Sequence, residues 1–158
     1  MKRLGPDDYE EAARILLNES ILPFVMDDGI VDHETMLKRC LRMDAVYFLM
    51  PDPDSLFLYV PVNCITWQIH ANVLPESRGN GARLFSDTLA YMFEDTPCRK
   101  IIAMVPVCNP RANRMGRKCG FIQEGLIRGS WKLNDQVFDV ILDGLRKEDF
   151  IWLGSRQQ

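Results

Sequence analysis

A chain of 158 residues, 47% hydrophobic and 26% charged, is long enough for one domain with a sizeable core and short for two, so residues 1–158 are expected to form a single domain. A formal net charge of −3 argues against bulk attraction to nucleic acid or anionic lipid. No basic-then-apolar leader opens the chain and no apolar run reaches spanning length, so a cytoplasmic protein with no membrane partner is expected. The five cysteines (Cys40, Cys64, Cys98, Cys108, Cys119) are odd in number and lack paired spacing. They read as reduced, mostly buried thiols, neither a disulfide frame nor a metal site.

Residues 2–4 suit a short first strand. Residues 6–21 read as a helix, with Pro6 in its first turn, acids at its positive end, and Ala12, Ile15 and Leu16 at helical spacing. A second helix is expected over 32–42, capped by Asp32, with Met36, Leu37, Cys40 and Leu41 facing inward. From residue 45 the period changes. Extended runs over 45–50 and 56–63, joined by "PDPDS", predict a hairpin, and 64–74 is a third extended run. Helical spacing returns over 82–94, offering Leu84, Phe85, Leu89, Met92 and Phe93 to a core. The continuous apolar run over 100–109 predicts a buried strand. A short helix follows over 110–119, opened by Pro110 and stopped by Gly120. Two runs over 121–133 and 136–145, around the turn Asn134-Asp135, predict a closing antiparallel hairpin. This order implies a mixed α/β sheet, mostly antiparallel, covered by about four helices.

The stretch "PESRGNGARL" at 75–84 sits where a strand should give way to a helix. A helix opening leaves backbone N–H groups unpaired along its axis, and glycines let an anion come close to them. Arg78 adds a charged fork that suits phosphate. From these residues alone two readings stay open: a phosphate cradle, or a tight turn before a helix.

Two blocks resemble the GNAT N-acetyltransferase family. "VLPESRGNGA" at 73–82 is similar to its acyl-CoA loop, Val-x-Pro-x-x-Arg-Gly-x-Gly before a helix. "NPRANRMGRKCGFIQEG" at 109–125 is similar to its later block, an Asn after the next strand and a Gly-Phe after a helix. The continuation through "FDVILDGLRKED" resembles the branch that acetylates ribosomal-protein N-termini, and short divergent members also resemble phage-encoded proteins. The resemblance covers roughly 56–149. It implies a sheet splayed between its fourth and fifth strands, with acetyl-CoA as co-substrate in the cleft and no metal. It places pyrophosphate on Arg78, Gly79, Asn80, Gly81, Ala82 and Arg83, and the pantetheine arm against Val73 and Asn109. A backbone donor at a strand bulge near Ala71–Val73 would meet the oxyanion. The implied activity is direct acetyl transfer to an amine, on a protein N-terminus or a small molecule, by a monomer or homodimer. The alternative is a silent protein of the same fold that binds or assembles, such as a phage virion or assembly factor.

Three positions depart from the pattern. Arg83 stands where a small residue is usual, and Gly116 where many members place a tyrosine acid. Gln68 stands where a glutamate base is common, which leaves His70 as the nearest titratable group and the expected base; alternatively His70 is a histidine hydrogen-bonded within its strand. Arg111, Arg114 and Lys118 share one helix face and read as a solvated face or as contacts to the ribose phosphate. Glu76 reads as solvated. Trp67 and Trp131 read as strand packing, with an acceptor pocket as the alternative. The acidic stretch "DDGIVDHE" could draw a cationic acceptor.

Overall fold

The computed structural model describes residues 1–25, 29 and 32–152. Half of "DDGIVDHE" (Asp27, Asp28, Ile30 and Val31) lies outside them. Seven strands form one sheet: β1 (Lys2–Leu4), β2 (Tyr47–Asp52), β3 (Ser55–Pro61), β4 (Thr66–Val73), β5 (Lys100–Pro106), β6 (Ile122–Leu133) and β7 (Gln136–Arg146). Their spatial order is β1-β2-β3-β4-β5-β7-β6. Every neighbouring pair is antiparallel except β4 and β5, which run parallel. The helices are α1 (Tyr9–Leu16), α2 (Leu22–Val25), α3 (His33–Cys40), α4 (Gly81–Asp95) and α5 (Pro110–Lys118). Among the described residues no helix is long and apolar enough to cross a membrane.

Strand alternation splits the core between the two faces of the sheet. Phe48, Met50 and Leu56 pack with Ala12, Ile15, Leu37 and Leu41 under α1 and α3. Leu49, Phe57, Trp67, Ile69 and Ile101 pack with Leu84, Phe85, Leu89, Met92 and Phe93 of α4. Phe85 is the centre of this second layer. It stacks on Phe57 of β3 at 5.3 Å and on Phe121, just after α5, at 5.6 Å. One ring therefore ties the first turns of α4 to the sheet and to the end of α5. Aromatic pairs of this kind add about 0.5–1.5 kcal/mol beyond their buried area.

The helix expected over 6–21 is broken. A 3-10 turn at Pro6–Asp8 leads into α1, which ends at Leu16. Asn18 is the reason: its side-chain oxygen accepts from the Ser20 N–H at 2.9 Å and the Ser20 hydroxyl at 2.7 Å, a local turn that competes with helix. The chain then re-enters helix as α2, which periodicity did not show. Asp32 caps α3 as expected, accepting from the Thr35 N–H at 2.9 Å. Leu37 and Leu41 are buried there, whereas Met36 is 44% exposed. The closing hairpin turns at Asn134 (φ 51°) and Asp135 (φ 61°), the two positive angles of a type I′ turn. Gly120 stops α5 at φ +93°.

The cysteines are all free, but only Cys98 and Cys119 are buried; Cys64 and Cys108 are exposed and Cys40 is half-buried. Burial pushes the Cys98 thiol up to about 11 and the Cys119 thiol to about 12. Among the described residues no three His, Cys, Asp or Glu side chains cluster closely enough to hold a metal ion.

The Phe85 stack yields a stability prediction. Phe85→Ala removes the ring that joins three elements and should cost about 3–5 kcal/mol. Urea denaturation would show it as a large fall in midpoint; a loss below about 1 kcal/mol would mean that α4 is held by other contacts.

Candidate active site

β4 is fully paired on one side only. Its register with β3 runs unbroken from Ser55↔Val73 to Pro61↔Trp67. Its register with β5 covers only Thr66↔Lys100, Trp67↔Ile101 and Gln68↔Ile102. Past Gln68 the two strands separate, although β4 continues to Val73 and β5 to Pro106. The sheet is thus split between its fourth and fifth strands.

Hydrogen-bond parity shows which backbone groups face the split. Leu74 N–H bonds Asp54 C=O at 2.9 Å, and Val62 N–H bonds Thr66 C=O at 2.9 Å. The even-numbered residues of β4 therefore direct their N–H and C=O groups at β3, and the odd-numbered ones direct theirs the other way. Ala71 and Val73 face the opening. By the same logic Val107 N–H to Asp139 C=O and Lys147 N–H to Arg99 C=O commit the odd residues of β5 to β7. Met104 then faces the split from the opposite lip. The regular β3 register leaves no bulge in β4, so the expected bulge near Ala71–Val73 is absent; the split itself exposes the donors. The split also corrects the reading of β5 as a buried strand. Met104 is 41% exposed, because half of its strand has lost its neighbour.

Two cavities meet at the split. The first, of about 270 Å³, is lined by Ala71, Asn72 and Val73, by Arg78, Gly79, Gly81 and Ala82, and by Asn109 with the α5 face bearing Arg111, Arg114, Met115 and Lys118. Ser20, Ile21 and Phe24 close its other side. The second, of about 260 Å³, takes in Gln68, His70, Phe24, Met104, Trp131 and Asp143 among others. Ala71, Asn72, Asn109, Ala112 and Met115 border both.

The glycine segment is helical. Pro75–Asn80 form a 3-10 turn that runs into α4 at Gly81, with no side-chain cap. The Gly81 N–H donates to Arg78 C=O, and the positive end of α4 faces the groove with no side chain capping it. Neither glycine has a positive φ; they matter for space. A Cβ at Gly79 would meet nothing within 4 Å, and one at Gly81 would approach Met115 Sδ at 3.5 Å and Val73 Cγ1 at 4.0 Å. A longer side chain at Gly81 would enter the groove between β4 and α5.

Of the residues expected to bind cofactor, Val73, Arg78, Gly79, Gly81, Ala82 and Asn109 line the first cavity. Asn80 and Arg83 do not. Asn80 is the residue before the first turn of α4, and Arg83 turns along its own helix to Asp87, 3.7 Å away. Asn109 also caps α5. Its side-chain oxygen accepts from the Ala112 N–H at 3.2 Å, so only its amide N–H groups remain for a ligand. Trp67 is buried and donates to Ala45 C=O at 3.2 Å, a packing role, whereas Trp131 lines the second cavity. Glu76 is exposed.

Residue-level reading missed Asn72 and Asp143. Asn72 is 1% exposed inside a strand, a position asparagine seldom takes, and that was the available signal. Its Nδ2 donates to Leu56 C=O and His70 C=O, both at 3.3 Å, which fixes the amide's orientation. Asp143 is 1% exposed and pairs with Arg117 at 3.2 Å. Burial pushes its carboxyl up, Arg117 opposes that, and Glu124 adds to the rise. Glu124 is itself held by Lys100 at 2.6 Å.

His70 projects from the even face of β4 into the second cavity. Solvent still reaches the ring, yet the concave walls remove enough water to lower its pKa below the ordinary 6.5. The Gln68 amide nitrogen lies 3.3 Å from Nε2. A half-turn of that amide presents its oxygen to an Nε2–H instead and leaves the lone pair on Nδ1.

No family model and no curated protein matches the sequence. Solved structures do match the fold. A spermidine N-acetyltransferase from Vibrio cholerae, solved with CoA and spermine, is 21% identical with a TM-score of 0.77, covering 94% of this chain and 95% of that one. A single-residue variant of a spermidine N-acetyltransferase from Vibrio cholerae is 18% identical with a TM-score of 0.76, covering 99% and 96%. The chain has the GNAT fold of these proteins.

The lowered His70 pKa predicts an NMR titration. The ring's C–H resonances should shift with a midpoint below 6.5 and be those of neutral imidazole at pH 7. A midpoint at or above 6.5 would mean that the cavity favours the charged ring.

Proposed function

We propose that the protein transfers the acetyl group of acetyl-CoA to a small amine. The observation that carries this reading is the convergence, on one split sheet, of the uncapped opening of α4, Arg78, free strand edges at Ala71 and Val73, and an imidazole on the adjoining cavity. The fold neighbours support it: one was solved with CoA and spermine, so a small amine is favoured over a protein N-terminus.

The chemistry needs a tethered thioester and a neutral nitrogen. The α4 amides and Arg78 hold the diphosphate, and Val73 and Asn109 hold the arm through backbone and amide groups. The amine attacks the thioester carbonyl, forming a C–N bond. The N–H of Ala71 stabilises the charge that gathers on oxygen; a donor of this kind is typically worth about 10²–10³-fold. His70 accepts the proton that nitrogen loses on attack. As the C–S bond breaks, the thiolate departs and takes a proton from solvent. No side-chain hydroxyl stands at Gly116, but a thiol of pKa about 8.5 is a tolerable leaving group without a positioned acid.

A lowered pKa keeps His70 neutral and competent at pH 7, so the acid limb of the rate profile should fall away only below 6.5. His70→Gln should lower kcat by about 10²-fold or more while acetyl-CoA affinity stays unchanged. Gly81→Glu should abolish the rise in Tm that acetyl-CoA produces, because the carboxylate enters the phosphate's space. Full turnover in His70→Gln would remove it as the base. Acetyl-CoA binding without turnover on any amine would favour a silent binding protein of this fold.

A further inference from the structure

We infer that Asn72 holds the acceptor nitrogen: its Oδ1 accepts from one N–H of the attacking amine while His70 faces the other, so the site takes primary amines over secondary ones. This rests on the proposed transfer to a small amine and names both the class of amine and a residue that reads it.

Asn72 is 1% exposed on β4, yet its side-chain oxygen has no hydrogen-bond partner among the described residues. The nitrogen is committed: Nδ2 donates to Leu56 C=O and to His70 C=O, each at 3.3 Å. Turning the amide over would set Oδ1 against two carbonyl oxygens, so the orphan is the oxygen. A buried acceptor left unpaired is costly, and native structures keep few of them. An apolar residue would fill the same strand position without that cost. Among the described residues His33 Nε2 and Asn113 Oδ1 share this condition, and neither residue borders either cavity. Asn72 borders both.

Its place along β4 says what it pairs with. Asn72 shares the even face of the strand with His70, and Ala71 between them turns its N–H to the split. Residues two apart along a strand lie about 6.6–6.8 Å apart, close enough for two side chains to hold one nitrogen between them. The neutral nitrogen of a primary amine has one lone pair and two N–H bonds. The lone pair meets the thioester carbonyl carbon. One proton faces His70, which takes it as the C–N bond forms. The other faces Asn72 Oδ1, stays on nitrogen and becomes the N–H of the product amide. A secondary amine has a single N–H. Given to His70, it leaves Oδ1 unpaired; given to Oδ1, it leaves the base no proton to take. A site built to hydrogen-bond a substrate N–H rejects the analogue lacking it, because its own buried group is then left without a partner.

The test measures initial rates of the full chain with acetyl-CoA and three pairs of amines. These are propylamine, benzylamine and spermidine, each beside the form N-methylated at its primary nitrogens. Per neutral amine, kcat/KM should be about tenfold or more higher for the primary member of a pair. A methyl group also takes space, so two variants of one shape separate the hydrogen bond from bulk. Asn72→Thr, which keeps an oxygen acceptor, should keep most of the preference. Asn72→Val should lose most of it, with acetyl-CoA affinity nearly unchanged. Equal kcat/KM within the pairs for the wild-type chain would overturn this inference and leave the proposed function standing. So would an Asn72→Val chain that keeps the preference, or one that loses acetyl-CoA affinity instead, since Oδ1 would then hold the donor. Turnover of none of the six amines would overturn both. The wild-type comparison needs no variant, so the inference stays falsifiable even where a variant fails to fold.

Discussion

The structure depends on where the pairing of β4 and β5 stops. Three register pairs join the strands, and beyond Gln68 and Ile102 each goes its own way. Unpaired strand edges invite aggregation in most sheets, yet here each lip is held rigid from its far side. β3 pairs β4 over its whole length, and β7 pairs β5 from Lys100 to Pro106. On the face that carries α4, Phe85 fixes that helix against Phe57 and Phe121, which holds the opening of α4 in place relative to the split. The opening is therefore a built feature with defined walls. It explains two otherwise separate facts: the exposure of Met104 in an apolar strand, and the meeting of two cavities at Ala71 and Asn72.

Electrostatics divides the labour between the two cavities. Cations that make no ion pair among the described residues line the first, and the helix opening adds its own positive end. The second holds one carboxylate, Asp143, already paired with Arg117, and an imidazole kept neutral by its surroundings. An anionic donor and an amine acceptor would then approach through opposite sides of one split. In the proposed reaction the carbonyl would lie between them, beside backbone donors that need no reorganisation when charge develops.

Much of this was legible from residue order. The helix expected over 82–94 was carried by its apolar spacing, the final hairpin by Asn134-Asp135, and the turn into a helix at "RGNGA" by its glycines, because each rests on local chemistry. What was not legible rests on contacts distant in sequence or on competition within a turn. Asn18 and Ser20 broke a helix that periodicity extended to residue 21. The apolar run at 100–106 looks the same whether or not a neighbour covers it. The orientation of Arg83 depends on Asp87 one turn on, and both the groove and solvent were open to it. The basic face of α5 could be counted in the sequence, but only the fold shows that it borders the same cavity as Arg78.

The central claim is that the split between β4 and β5 receives the donor's arm. Amide hydrogen exchange resolved to single residues tests it most directly. On addition of acetyl-CoA, the N–H groups of Ala71 and Val73 should exchange markedly more slowly, together with those of Gly79 through Ala82. The amides of His70 and Asn72, already bonded to β3, should change little. Binding that protects the start of α4 but leaves Ala71 and Val73 exchanging as before would contradict the account, because the arm would then lie outside the split.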